Sequence, residues 1–154
     1  MSEALFPSAK PRRAPEIKPA RTRVLIVDDD RPTRLVCASY CDLFDHVSHD
    51  VHSVGEALSA LRRECFDLVV LSLHMTSVGG MAAMRAIRSL PAPAARAPLI
   101  GLAAVGRADE AQRWRAAGFA AVVGKPVTAA RFHTALRTAR LEGPSGLRSW
   151  APTA

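Results

Sequence analysis

Four short apolar runs recur along this chain: Arg23–Val27 (RVLIV), Asp67–Leu71 (DLVVL), Leu99–Ala103 (LIGLA) and Phe119–Val123 (FAAVV). They lack the in–out alternation of a half-solvated strand. Continuous apolar strands of that length suit a parallel sheet covered on both faces. Residues 47–52 read as a weaker fifth strand. Between the runs lie helical patterns. Asp28–Asp30 and Pro32 begin one that extends to about Leu43 or Phe44, since carboxylates favour a helix N-terminus and proline suits its first turn. Val54–Arg63 places Ala57, Leu58 and Leu61 on one face, and Gly80–Leu90 does the same with Met81, Met84 and Ile87. Ala108–Ala117 ends at Gly118, and Thr128–Leu141 is the last helix. Five strands alternating with five helices predict a doubly wound α/β fold with a five-stranded parallel sheet. In such folds the site lies beyond the carboxyl ends of the strands, where strand order switches. That rule singles out Asp28, Asp29, Ser72, Ala103 and Lys125.

The flanks differ from this core. Residues 1–21 hold Pro7, Pro11, Pro15 and Pro19 among basic and small residues. Repeated prolines deny backbone hydrogen bonds, so this stretch reads as a disordered basic tail. Residues 142–154, which include Trp150, read as a second flexible tail, leaving 22–141 as the folded domain. The net charge of +7 is unevenly placed: residues 24–106 carry seven basic and nine acidic residues, whereas 107–154 carry eight basic and three acidic. The basic flanks suit an anionic partner, and the tails alone suit weak, salt-dependent nucleic-acid contact. No apolar run approaches a membrane span, and the first residues lack a signal-peptide stretch, so a cytoplasmic location is expected. Three cysteines, Cys37, Cys41 and Cys65, do not make a disulfide framework. Cys37 and Cys41 read as small buried hydrophobes. His46, His49 and His52 are spaced by threes, which alternate faces in an extended segment, so no zinc site is expected there.

Four blocks carry a further signal: VLIVDDD (24–30), DLVVLSLHM (67–75), PLIGLAA (98–104) and GFAAVVGKP (118–126). In order, spacing and position they resemble the signature blocks of response-regulator receiver (CheY-like) domains. The resemblance covers roughly residues 22–141. It implies that Asp28 and Asp29 match the acidic pair that holds Mg²⁺, and that Lys125 before Pro126 matches the lysine that contacts the phosphoryl group. Ser72 stands where active members carry the phosphorylated aspartate. Ala103 replaces the switch threonine or serine, Val122 the switch tyrosine or phenylalanine, and Thr76 the proline usually found after His74–Met75.

Each departure removes chemistry. An aspartate is already an anionic nucleophile and gives a reactive acyl phosphate. A serine hydroxyl must first lose a proton, and the sequence places no evident base beside Ser72. Ala103 has no hydroxyl to bond a phosphoryl oxygen, and Val122 has no ring to swing inward. Two carboxylates ~4 Å apart repel by about 4 kcal/mol at an effective dielectric of 20. Losing the third acid therefore lets Lys125 pair with Asp28 or Asp29 without metal. The expectation is a non-enzymatic, degenerate pseudo-receiver, locked in one conformation, with Mg²⁺ bound weakly or not at all.

Function must then come from binding. The region of the fourth helix, fifth strand and fifth helix, which receivers commonly use, carries Arg107, Arg113, Arg115, Arg131, Arg137 and Arg140, with Trp114 between two of them. Arginine forks pair with carboxylates and phosphates, and both Arg and Trp stack on bases. The leading reading is a stand-alone signalling adaptor that binds a histidine kinase, another receiver or a target protein independently of phosphorylation, with a homodimer through the same face also conceivable. An adaptor for cyclic di-GMP is the second reading, and an atypical phosphoacceptor using Ser72 or a neighbouring aspartate the third. No helix-turn-helix follows residue 141, so sequence-specific DNA binding is not expected.

Overall fold

The computed structural model describes residues 21–142. Strands β1 (Arg23–Val27), β2 (Val47–Val51), β3 (Leu68–Ser72), β4 (Leu99–Ala103) and β5 (Ala121–Gly124) form one parallel sheet in the order β2-β1-β3-β4-β5. Chain order reverses between β1 and β3, so the crevice opens at their carboxyl ends. The central strands β1, β3 and β4 are buried almost throughout, as their unbroken apolar character requires.

Helices α1 (Arg31–Leu43) and α5 (Ala129–Glu142) cover one face, and α2 (Val54–Arg63), α3 (Gly80–Arg88) and α4 (Ala111–Ala117) cover the other. On the first face Cys37 and Cys41 pack with Phe132 and Leu136, and burial pushes both thiols up to about 12. They are the small hydrophobes that their spacing suggests, whereas Cys65 is exposed. On the second face Ala57, Leu61, Ala83 and Ile87 lie against Leu25, Val69 and Leu71.

Local chemistry fixes where the elements begin. Asp30 is the N-cap of α1 and accepts from the Thr33 amide at 3.2 Å and from the Thr33 hydroxyl. That hydroxyl bond is the main reason the Asp30 carboxyl lies below the usual range. Ser53 caps α2 through the Glu56 amide.

Several boundaries differ from the sequence reading. The fourth helix is shorter than 108–117, because Ala108–Glu110 forms a 3-10 turn and only Ala111–Ala117 is α-helical. β5 starts at Ala121 rather than Phe119, since the Phe119 amide closes the helix onto the Trp114 carbonyl at 3.1 Å and Gly118 takes a positive φ of 127°. In the other direction, β3 extends through Ser72, which stands opposite Leu102.

Candidate functional site

The acidic residues after β1 point three ways. Asp28 is fully buried, and its Oδ1 accepts the Asp30 amide at 2.9 Å. Its Oδ2 lies 2.9 Å from Lys125 Nζ. Lys125 reaches it from the end of β5, where its amide donates to the Ala103 carbonyl at 2.8 Å. Asp29 is exposed and turns toward the segment after β3. Its Oδ2 accepts both the amide and the hydroxyl of Thr76, each at 3.1 Å. Asp30 is spent on the helix cap.

Ser72 sits at the end of β3 with 1% exposure, and its Oγ is 3.5 Å from Lys125 Nζ. The group beside the hydroxyl is thus an ammonium already paired with Asp28. An ammonium donates and has no lone pair with which to take a serine proton. Ala103 is fully buried and presents only a methyl group. Val122 is half-buried against the core on the face that α2, α3 and α4 cover. The structure therefore brings Asp28, Ser72 and Lys125 together, with the Lys125–Asp28 pairing that loss of the third acid allows. Asp29 is held apart by a side chain the sequence reading left without a role.

Mg²⁺ takes octahedral oxygen coordination and is usually held by one or two carboxylates with several waters. The donor set does not fit it as a resident ion. One Asp28 oxygen faces an ammonium and the other an amide, Asp29 already accepts two bonds from Thr76, and the third carboxylate is a hydroxyl. Among the described residues no group of three or more His, Cys, Asp or Glu side chains is placed to hold a metal.

The arginines do not form one patch. Arg107 is bound to Glu110, with Nε at 2.9 Å from Oε1. Trp114 is partly buried: its ring packs edge-on to Phe119 at 5.5 Å and lies over Gly80, while Nε1 donates to Glu110 Oε2 at 3.4 Å. Helical phase accounts for this, because Trp114 is on the sheet side of α4 while Arg113 and Arg115 are exposed. Arg140 lies near His46 and His133, on the α1 side of α5. Arg115 and Arg131 are brought together, lining one groove of 430 Å³ along β5. Arg137 is exposed on α5 and does not line that groove.

Glu110 is the other residue that sequence reasoning missed. It gathers Arg107, Trp114 and His74, whose Nε2 is 3.6 Å from its Oε2. The Arg107 bond is the main reason its carboxyl lies below the usual range. No local pattern announces such a hub. Thr76 was detectable as a hydroxyl in place of proline beside an acidic pair. Arg34 bridges Asp50, at 3.2 Å, to the Asp28 carbonyl, at 2.7 Å.

Comparison with known proteins agrees with the fold. Residues 24–137 match the family described as response regulator receiver domain. The chain is 30% identical over 158 aligned residues to the virulence sensor protein BvgS of Bordetella pertussis, covering 97% of this chain and 13% of that protein. It is 28% identical over 110 residues to the sensory/regulatory protein RpfC of Xanthomonas campestris, covering 71% of this chain and 15% of that one. The chain thus spans a small fraction of these relatives. Among solved structures, the chemotaxis response regulator CheY4 of Vibrio cholerae superposes with a TM-score of 0.67 at 19% identity, covering 77% of this chain and 98% of that one. A response regulator receiver protein from Pseudomonas putida gives 0.68 at 22%, covering 78% and 98%.

Proposed function

This chain belongs to the response regulator receiver domain family of two-component signalling, and from that premise we infer that it is a pseudo-receiver: a binding module that works without accepting a phosphoryl group and catalyses no reaction. One observation carries the reading. The position that should hold the nucleophilic carboxylate is a buried serine hydroxyl, and the lysine beside it is already neutralised by Asp28. The readout positions point the same way, since Ala103 and Val122 offer neither a hydroxyl nor a ring.

The partner in this reading is another protein of the signalling system, such as a histidine kinase or a regulator. No helix among the described residues is long and apolar enough to cross a membrane, which leaves the exposed faces for protein contact. Intact mass spectrometry after incubation with acetyl phosphate and Mg²⁺ tests the reading. It predicts an unchanged mass. A gain of one phosphoryl group on the wild-type chain removes the reading and reinstates an atypical phosphoacceptor.

Cyclic di-GMP is the second reading, favoured by Arg115 and Arg131 lining one groove. Trp114 does not line that groove, so the guanidinium groups there would hold the ligand. Calorimetric titration with cyclic di-GMP, compared between wild type and Arg115→Ala, decides it.

A further inference from the structure

β5 is one of the two outer strands of the sheet. The Lys125 amide donates to the Ala103 carbonyl at 2.8 Å, so within the β5 register Val123 and Ala121 likewise turn their amides toward β4. Strand alternation then aims the amides of Val122 and Gly124 the other way, toward the open edge. An open edge is a template for another strand, and proteins blunt such edges with charge, proline or a bulge. β2, at the opposite edge, carries His49 and Asp50. β5 reads AVVG and carries neither charge nor proline.

The edge opens into the groove that Arg115 and Arg131 line. Its other walls are small: Ala130, Thr134, Ala135 and Thr138 leave room beside the strand. α4 and α5 lie on opposite faces of the sheet, so the two guanidinium groups flank the edge from above and below. Neither has a carboxylate within 4.0 Å among the described residues, whereas Arg107 is satisfied by Glu110.

We propose that β5 is extended by a strand from a partner protein, and that the partner segment carries two consecutive acidic residues. Adjacent side chains of an extended strand point to opposite faces. A doublet of Asp or Glu therefore delivers one carboxylate to Arg115 and the next to Arg131, while the backbone satisfies Val122 and Gly124. Four residues of β5 span roughly 13 Å at about 3.3 Å per residue, the length of a short peptide segment. Main-chain bonds supply affinity, and the acidic pair supplies register and selectivity. This names the partner chemistry for the adaptor reading and rests on it.

The test uses the ¹⁵N-labelled full chain and the acetylated, amidated peptide Thr-Val-Glu-Asp-Val-Thr. Controls are the same peptide with Lys-Lys at the centre and one N-methylated at alternate amides. Amide exchange at Val122 and Gly124 is expected to slow by about tenfold when the acidic peptide is ten times above its Kd. N-methylation and the Lys-Lys exchange are each expected to abolish binding. The exposed pair Arg115→Glu with Arg131→Glu is expected to weaken it at least about tenfold. No binding at millimolar acidic peptide overturns the proposal. So does binding that survives N-methylation or leaves the two amides unprotected. Either result leaves the adaptor reading standing, because that reading is tested by phosphoryl transfer in the mass experiment and not by peptide binding.

Discussion

Lys125 and Thr76 occupy the acidic residues after β1, which the pseudo-receiver reading takes as a replacement for a metal ion. Lys125 takes Asp28, Thr76 takes Asp29, and the hydroxyl at position 72 adds no charge. The balance predicts how Ser72→Asp behaves. A new carboxylate buried beside Asp28 is repelled and desolvated, so without metal the variant should lose about 2 kcal/mol. The same variant supplies a further oxygen donor, so Mg²⁺ should restore its stability, by about 2.7 kcal/mol at a hundred times Kd. Thermal melts with and without Mg²⁺ read both effects, and the wild-type melt should not move. Asp28, Ser72, Ala103 and Lys125 were legible in the sequence because each occupies a fixed place at a strand end, and Val122 through the resemblance alone. The Thr76–Asp29 contact was not, since it joins residues 47 positions apart through the path of a loop.

The elements were legible wherever apolar periodicity set them. β1, β3 and β4 came directly from their unbroken apolar runs, and α2 from its spacing. α4 was legible only in part. Its first turn tightens to 3-10 around Glu110, and the side chains of Arg107, Trp114 and His74 meet there. Their convergence depends on tertiary placement, which no window of sequence contains. The fit beneath α4 is close. A Cβ added at Gly80 would stand 3.0 Å from the Leu73 Cα and 3.0 Å from the Trp114 ring. Backbone on one side and an indole on the other leave little room to yield. Gly80→Ala is expected to destabilise the fold by about 1–3 kcal/mol, read from urea midpoints at constant m-value. Gly79, with nothing within 4 Å, should accept alanine at no packing cost.

For the whole molecule, pH acts through the seam between the end of α1 and α5. His46 lies there with Arg140 and His133 nearby and Asp45 opposing them. Burial first, then those cationic neighbours, holds its imidazole below the usual range. The unfolded chain therefore binds this proton more readily than the folded one. Stability is full above the unfolded value of about 6.5 and is lost as pH falls from there through the folded value. Urea midpoints should fall as pH drops through that window, and His46→Gln should flatten the dependence.

The larger claim concerns the state of the domain as a whole. A receiver that switches has two arrangements biased by its phosphoryl group. On the pseudo-receiver reading, Ser72, Ala103 and Val122 replace the nucleophile, the hydroxyl and the ring that distinguish them, and Lys125 is already engaged by Asp28. The most direct measurement is the ¹H–¹⁵N spectrum of the full chain before and after Mg²⁺ with beryllofluoride, a phosphoryl mimic, beside Ser72→Asp. The account predicts no shifts in the wild type at residues 72, 76, 103, 122 or 125, and shifts around position 72 in the variant. Wild-type shifts that spread from Ser72 to Ala103 and Val122 would show a working switch and contradict it.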